Sequence, residues 1–368
     1  MSSADILATS SDSTGRPLAP HAPLSVGAVV DTECDPGQEA LALRRLSALA
    51  AAGCDIEAFT IDASRALEVK LGKEGMVVRR LGRQFHADWP SVRELAAGSR
   101  RSQHRALYCM GPRAHARGVV AARVLHVPAA IHPYAIPSFR DLSLARLTGS
   151  TVFVATDASL GQARLAGCDA LLVHTPMRLE GRDPMALQRP ACVGWVGALR
   201  EANNPALFER AAEALGRERP DLAFVMVALG AAPPRASPSP RITVVPADEF
   251  RPAQLAQIGT LVHTGFDDGC PVAWMEAYLR GVTLVLPVDG FVDAFVRPGE
   301  AHFYSSGYLN ELIGAIAAAV DSGPHRTPWP QELSASGESG ASLRTALDQV
   351  VSRQQKRSGG LGDGGERC

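Results

Sequence analysis

Two acidic residues stand eight positions apart in the stretch GFDDGCPVAWMEA, which occupies residues 265–277. They are Asp268 and Glu276, and they flank a Gly-x-Pro sequence and a short apolar run. A glutamate in an otherwise apolar segment needs a polar partner, because burying an unpaired carboxylate is costly. The stretch therefore indicates a binding site and not a solvated surface helix.

The same stretch has the start and stop residues of a short helix. Pro271 suits the first helical position and Gly281 suits the position just past the end, which predicts a helix over 271–280. The N-terminus of a helix offers free N–H groups and partial positive charge to an anion. Asp268 precedes that end and Glu276 lies more than one turn inside, so the pair can address two points of one extended ligand. A nucleotide-sugar fits this spacing, with its diphosphate near the helix start.

Simpler interpretations of these residues stay open at this point. Glu276 could pair with Arg280 one turn later. Asp268 could act only as a helix-capping acid.

Composition predicts an ordinary globular protein. The chain has 368 residues, enough for two domains, with 46% hydrophobic and 20% charged residues. A formal net charge of -1 gives no general attraction to nucleic acid. The seven cysteines form no C-x-x-C pair, which favours reduced thiols in a cytoplasmic protein and no metal site. The N-terminus has no signal-peptide core, and no apolar run reaches the roughly 18 residues of a membrane span.

Apolar runs alternate with helix-period segments along most of the chain. The predicted strands are 24–30, 55–61, 105–111, 128–132, 150–156, 169–175, 192–199, 222–229, 241–246, 260–265 and 281–288. The predicted helices are 37–53, 113–127, 204–220, 251–259, 271–280, 308–323 and 341–355. This alternation is typical of parallel sheets covered on both faces. We predict an α/β protein with two doubly wound Rossmann-like domains that face each other across a cleft.

The pattern stops and restarts once, which predicts the domain organisation. The expected divisions are a disordered leader over 1–23, an N-terminal acceptor-side domain over 24–176, a linker over 177–191, a C-terminal donor domain over 192–340, a C-terminal helix over 341–355 and a disordered tail over 356–368. Ligands of such sheets bind at the carboxyl ends of the strands.

The opening stretch resembles a motif of retaining GT-B-fold glycosyltransferases, the glycosyl transferases group 1 or glycosyltransferase family 4-like proteins. Their pattern is E-G-x-P-x-x-x-x-E-A, and this chain has Asp268-Gly269-Cys270-Pro271 followed by Glu276-Ala277, with Asp in place of the first Glu. The resemblance extends in order from about residue 25 to 323. It implies the GT-B fold, a nucleotide-sugar donor, retention of anomeric configuration, and neither a metal nor a further cofactor.

Other segments resemble the same family. DPGQE (35–39) resembles its glycine-rich loop, VPAAIHPY (127–134) resembles the segment whose histidine lies near the reacting sugar, and VGWVGALREANNP (193–205) resembles the first donor-domain strand and loop. The implied catalytic residues are His132 and Asp268. The implied donor-binding residues are Gly37, Gly197, Arg200, Gly269, Cys270, Pro271 and Glu276. Without the resemblance, His132 could cap a turn, Gly37 could serve an ordinary turn and Arg200 could be a solvated loop residue.

One segment departs from the family pattern. The family's G-R-L-x-x-x-K loop supplies an arginine and a lysine to the donor diphosphate, but these positions are Ala198 and Asn203. No lysine occurs from residue 74 to residue 355. Charge-assisted contacts to a leaving diphosphate are strong ones, so we expect Arg200 and the helix start at 270–272 to replace them.

The leading prediction is a glycosyltransferase acting on a nucleotide-sugar and a small-molecule or glycan acceptor. The alternatives are a catalytically silent homologue that serves as a partner or regulatory protein, and a sugar-nucleotide epimerase on the same fold. A cluster of arginines could contact an acidic acceptor or a membrane surface peripherally, but solvated helix faces are the favoured explanation of it. These arginines are Arg79, Arg80, Arg83, Arg93, Arg100, Arg101 and Arg105.

Overall fold

The computed structural model of the chain describes residues 23–82, 89–134, 136–173, 191–230, 240–247, 251–255, 257–265, 272–288, 296, 299, 301–322 and 336–359. Two separate parallel sheets form the frame, one of seven strands and one of six.

The first sheet has the strand order β3-β2-β1-β4-β5-β6-β7, and all its pairings are parallel. Its strands are β1 (Leu24–Val30), β2 (Cys54–Thr60), β3 (Val77–Arg80), β4 (Ala106–Met110), β5 (Ala129–Ile131), β6 (Thr151–Val154) and β7 (Asp169–Leu172). Its helices are α1 (Pro36–Ala51), α2 (Arg65–Lys73), α3 (Trp89–Arg101), α4 (Pro112–Leu125), α5 (Phe139–Thr148) and α6 (Asp157–Leu165). The order of the strands reverses between β1 and β4, which is where doubly wound sheets bind ligands.

Continuous apolar strands make this sheet a buried central layer. Alternate residues of β1 enter two different cores: Ala28 joins the cluster beneath α1 and α2, and Val29 joins the cluster beneath α3 to α6. Helices therefore cover both faces, as the βαβ pattern predicts.

The second sheet has the strand order β10-β9-β8-β11-β12-β13, again with parallel pairings. Its strands are β8 (Cys192–Ala198), β9 (Ala223–Leu229), β10 (Ile242–Ala247), β11 (Thr260–Val262), β12 (Thr283–Pro287) and β13 (His302–Tyr304). Its helices are α7 (Pro205–Glu218), α8 (Val272–Leu279) and α9 (Leu309–Ser322). Here the order reverses between β8 and β11.

The last helix, α10 (Ser336–Gly359), returns to the first sheet. Leu343 and Leu347 are buried in the same core as Leu46 and Leu49 of α1. Arg344 donates a hydrogen bond to the carbonyl of Ala52, just after α1 ends. The end of the chain therefore stabilises the domain in which the chain begins.

The α/β fold class with two doubly wound sheets is confirmed, while some predicted elements differ. The predicted helix over 251–259 is only a 3-10 turn, Pro252–Leu255. The last helix continues past the predicted end at 355 into the expected tail. The pattern did not assign α2, β3, α3, α5, α6 or β13, most of which are short. Nearly all of the predicted linker and leader lies outside the described residues.

Candidate functional site

The carboxyl edge of the first sheet forms one wall of the candidate site. Gly111 follows β4 with φ of 95°, and a Cβ there would lie 1.9 Å from the carbonyl oxygen of Asp31. Only glycine permits so close an approach. Glu33 and Cys34 have positive φ angles of 50° and 55°, so the loop from β1 to α1 is held in a strained conformation.

Asp35 closes that loop by capping α1. Its Oδ1 accepts hydrogen bonds from the backbone N–H groups of Gly37 (2.9 Å) and Gln38 (3.0 Å). Gly37 therefore belongs to the first turn of α1, as the predicted helix over 37–53 has it, and its role beside a donor stays a prediction. Because Pro36 lacks an N–H, the protein's own carboxylate holds the donors that an anion would otherwise meet here.

The carboxyl edge of the second sheet forms the opposite wall. The indole N–H of Trp195 in β8 donates to the hydroxyl of Thr264 after β11 (2.9 Å), and that hydroxyl lies 2.8 Å from the carbonyl oxygen of Asn203. The side-chain amide of Asn203 turns back to donate to the carbonyl of Ala198 (2.8 Å). The position at which the family pattern has a lysine is thus an amide that closes its own loop.

These two walls meet in a narrow pocket that has about 30 Å³ of space for water and is partly open to solvent. The described residues that line it are Asp35, Gly37, Ala40, Val196, Gly197, Ala198, Asn203, Leu229, Val272 and Ala273. Two predicted donor-binding residues, Gly37 and Gly197, are brought together here from opposite domains. A Cβ at Gly197 would lie 2.9 Å from the Trp195 ring, so a larger residue would disturb this wall.

Glu276 lies on α8 with 1% of its surface exposed. Its Oε1 pairs with Arg44 from α1 of the opposite domain. Its Oε2 lies 3.7 Å from Arg280 one turn later, which is the simpler pairing considered from the sequence. The carboxylate expected to meet ribose is therefore covered by an arginine that reaches across the cleft.

Arg200 reaches across in the opposite direction. Its Nη2 donates to the carbonyl of Glu33 (2.9 Å), and its Nη1 lies 3.6 Å from Asp35 Oδ2. The guanidinium of Arg200 consequently sits beside the cap of α1, at the rim of the pocket.

His132 follows β5 directly and is 1% exposed. The Tyr108 hydroxyl lies 2.5 Å from its Nδ1, and its Nε2 is buried without a hydrogen-bond partner among the described residues. Burial, together with the positive charge of Arg45, holds the pKa of His132 well below its usual range. The ring is therefore neutral, and if Tyr108 donates, Nε2 carries the proton and can donate to a ligand.

Arg45 is a site residue that sequence reasoning missed. It is 1% exposed, donates to the carbonyl of Pro133 (3.1 Å), and lies 5.7 Å from the ring centre of Tyr134. Through the hydrogen bond to Pro133, Arg45 holds the backbone next to His132 in place. The signal was present in the helix sequence LALRRLSAL, where two adjacent arginines interrupt an apolar pattern.

The remaining predicted site residues are Asp268, Gly269, Cys270 and Pro271, and they lie outside the described residues. In the part of the chain that is described, no group of three or more His, Cys, Asp or Glu side chains has the arrangement of a metal site. His132 and Glu276 are both buried, and neither is among the residues that line the pocket.

Solved structures resemble this chain along nearly its whole length. HepE from Anabaena, in complex with UDP and glucose, is 16% identical with a TM-score of 0.65, over 92% of this chain and 99% of HepE. Sucrose-phosphate synthase from Thermosynechococcus elongatus is 13% identical with a TM-score of 0.62, over 92% of this chain and 98% of that one. A Listeria monocytogenes protein assigned as a UDP-N-acetylglucosamine 2-epimerase is 11% identical with a TM-score of 0.60, over 87% and 91% of the two chains.

No family model matches the sequence, and no curated protein matches it significantly. At these low identities the structural likenesses establish the fold alone. The fold is GT-B, as predicted, and it is shared by glycosyltransferases and by the epimerase.

Proposed function

We propose that the chain is a glycosyltransferase that takes a sugar from a nucleotide-sugar and transfers it, with retention of configuration, to an acceptor hydroxyl. The observation that carries the proposal is the placement of Glu276. Its buried carboxylate lies on α8, the helix whose first residues line the pocket between the two switch points. This is the position from which the sequence motif predicts a contact with ribose.

The residue roles follow from the two walls. Glu276 accepts hydrogen bonds from the ribose hydroxyls, and Asp268 binds hydroxyls of the donor sugar. His132 donates from Nε2 toward the reacting sugar. Arg200 needs only a local movement from Asp35 to meet the diphosphate, whose charge would compete for the guanidinium.

In the proposed reaction the bond between the sugar's anomeric carbon and the phosphate oxygen breaks while the acceptor oxygen bonds to the same face. The departing phosphate takes the acceptor proton, so no strong protein base is needed. The protein contributes positioning and stabilisation of the developing negative charge. The nucleotide-sugar is already activated, so the reaction uses no further cofactor.

Donor binding requires an exchange at Glu276. The Arg44 guanidinium covers the carboxylate, so ribose can reach it only after Arg44 moves away or the domains separate. Arg44 is 20% exposed at its side chain and can turn into solvent, whereas Glu276 is 2% exposed and cannot. The exchange costs part of the free energy of the Arg44–Glu276 ion pair, and hydrogen bonds from two ribose hydroxyls to Glu276 offset that cost.

A partner or regulatory protein without activity is the second candidate. The loop after β8 favours it, because Ala198 and the folded-back Asn203 provide no cation and Asp35 occupies the start of α1. The same cleft would then bind a nucleotide weakly or not at all.

Product analysis separates the candidates. UDP-sugars and GDP-sugars are incubated with the protein and an acceptor mixture, and released nucleoside diphosphate is measured with the anomeric proton followed by NMR. The proposal predicts release of nucleoside diphosphate and a product of unchanged anomeric configuration. An epimerised sugar would identify an epimerase, and binding without turnover would identify the silent homologue.

A further inference from the structure

Three consecutive helices of the first domain end in the same way. In the last turn of each of α4, α5 and α6, an exposed arginine is followed by an exposed aliphatic residue. The three pairs are Arg123-Val124, Arg146-Leu147 and Arg164-Leu165. The three aliphatic side chains are 44%, 81% and 92% exposed. A single exposed leucine needs no explanation, but three arginine–aliphatic pairs at equivalent positions form a patterned surface, which we call the arginine–aliphatic face.

The three helix ends lie side by side. Arg123 at the end of α4 donates to the carbonyl of Thr148 at the end of α5 (3.1 Å). Arg146 of α5 lies against the turn after α6, since a Cβ at Gly167 would be 3.8 Å from its Nε. The face is therefore continuous from α4 to α6.

The face points away from the cleft. Each of these helices begins at the carboxyl end of a strand and runs back along the sheet, so its last turn lies at the amino edge. The pocket lies at the opposite, carboxyl edge. A surface bound to this face would leave the pocket accessible.

The charge on this face is positive. The three arginines of the face stand in the last turns of α4, α5 and α6, and Asp169, which follows α6, is paired with Arg353. Residues 123–168 contain only two acidic residues, Asp141 and Asp157. Both acids lie in the first turns of α5 and α6, at the other end of the helices. The arginines thus stand near the carbonyl ends of their helices with no acidic residue in the same last turns.

Two of the arginines singled out from the sequence are less available. Arg79 pairs with Glu57 and Arg80 pairs with Glu68, and both carboxylates are buried. The positive charge of these two arginines is therefore largely offset within the domain, which distinguishes them from the arginine–aliphatic face.

We propose that the arginine–aliphatic face docks on an anionic lipid bilayer. Guanidinium groups bind phosphate oxygens in bidentate geometry, and exposed leucines partition into the boundary between headgroups and acyl chains. An excess of positive charge is what a negatively charged leaflet attracts. The helices of the described residues include none with the length and apolar character needed to cross a bilayer, so the docking is peripheral.

The test is co-sedimentation of the full chain with vesicles of phosphatidylcholine alone and with vesicles containing about one third phosphatidylglycerol. The parent protein is expected to bind only the anionic vesicles and to lose binding at about 1 M salt, where charges are screened within roughly 3 Å. The pair of changes Leu147→Ser and Leu165→Ser is expected to lower vesicle affinity about tenfold or more, and Arg146→Gln with Arg164→Gln by a similar factor.

The matched controls lie at the other end of α5. Phe139 is 87% exposed and is followed by the exposed Arg140, so Phe139→Ser with Arg140→Gln removes the same kinds of group from the same helix. This control should bind vesicles like the parent. Because all the changed side chains are exposed, thermal unfolding of every variant should match the parent.

Three results would overturn the proposal. One is a parent protein that ignores anionic vesicles, and another is an equal loss of binding in the control and in the face variants. The third is light scattering that shows a dimer without lipid, abolished by Leu147→Ser and Leu165→Ser, because a second copy would then cover the face.

Discussion

Two arginines cross the cleft in opposite directions, and their surroundings differ. Arg44 leaves α1 of the first domain and pairs with Glu276, and the two side chains are 20% and 2% exposed. Arg200 leaves the loop after β8 and reaches Asp35 and the Glu33 carbonyl, and the Arg200 and Asp35 side chains are 41% and 15% exposed. One contact is largely shielded from water, and the other lies at the rim.

Because of this difference, the two contacts contribute differently to the stability of the protein. Removing one partner of a shielded pair leaves a carboxylate without solvation, so the pair stabilises the contact between the domains, and the proposed donor would have to replace Arg44 there. A rim contact between partly hydrated groups contributes little to stability. Moving Arg200 from Asp35 to a proposed ligand therefore costs little stability, whereas the proposed ligand has to compete with Arg44 for Glu276.

The largest effect is expected from Arg44→Ala. Among the described residues, Arg280 is then the one remaining ion-pair partner of the buried Glu276, so the free energy of unfolding should fall by about 3 kcal/mol. Urea unfolding followed by circular dichroism measures it. Arg280→Ala is the matched control and should cost less than about 1 kcal/mol, since that pair is longer and Arg280 is about one third exposed. Equal costs for the two variants would remove the distinction between shielded and rim contacts.

The second-largest effect concerns the loop after β8, where Ala198 and Asn203 stand at the positions of the arginine and the lysine in the family pattern. Ala198→Arg combined with Asn203→Lys restores charge beside the pocket and should tighten binding of a nucleoside diphosphate by about 1–3 kcal/mol, the range for hydrogen bonds to charged groups. Calorimetry with the diphosphate and with the uncharged nucleoside provides the measurement and its control. Weaker binding of the diphosphate would mean that Arg200 already fills the space, and it would contradict the account of this wall as deficient in charge.

The pH dependence of stability probes the buried side of the cleft. Burial lowers the pKa of His132 in the folded state, so the unfolded chain takes up a proton first. The contribution of neutral His132 to the free energy of unfolding is therefore complete above the unfolded pKa of about 6.5. It is lost as the pH falls, by about 2 kcal/mol at pH 5. His104, whose pKa burial also lowers, acts in the same direction.

The variant His132→Gln isolates that contribution. Its stability should change less between pH 8 and pH 5 than that of the parent, by about 2 kcal/mol. Asp31, whose pKa burial raises, acts in the opposite direction in both proteins and cancels in the comparison. Identical pH profiles of parent and variant would show that His132 is not buried as described.

The smallest effect on stability is expected from Arg200→Ala, below about 1 kcal/mol. Its effect should appear in binding instead, with affinity for a nucleoside diphosphate falling much more than affinity for the nucleoside. Arg217→Ala removes an exposed pair within α7 and serves as the control for both quantities. A loss of stability as large as that of Arg44→Ala, or equal losses for the two ligands, would contradict the assignment of Arg200 to the phosphates.

Much of the fold could be predicted because long apolar strands and their helices have periodic sequences. The strand β1 and the helix α8 were found within a residue or two of their bounds. Short elements such as β13 have three residues and too little pattern to detect. The turn Pro252–Leu255 was mistaken for a helix because its few apolar residues happen to follow helical spacing.

The site was less predictable, since its side chains come from distant parts of the sequence. The Asp268–Glu276 spacing and the altered loop at Ala198 and Asn203 are local features that a sequence displays. The ion pair between Arg44 and Glu276 joins residues 232 positions apart, and no spacing rule predicts it. The sequence did not show that Asp35 caps α1, because the Gly37 that follows Pro36 is typical of loops as well as of first helical turns.

The most direct test of the account is calorimetric titration of the parent protein and of Glu276→Gln with UDP and GDP. The glutamine keeps the shape of the side chain but removes the charge that pairs with Arg44 and that we propose to bind ribose hydroxyls. The account predicts that the parent binds one of the two nucleotides and that the variant binds it at least about tenfold more weakly, the loss of one charged hydrogen bond. Equal affinity for both proteins would remove Glu276 from the site, and no detectable binding by the parent at millimolar nucleotide would contradict the glycosyltransferase proposal itself.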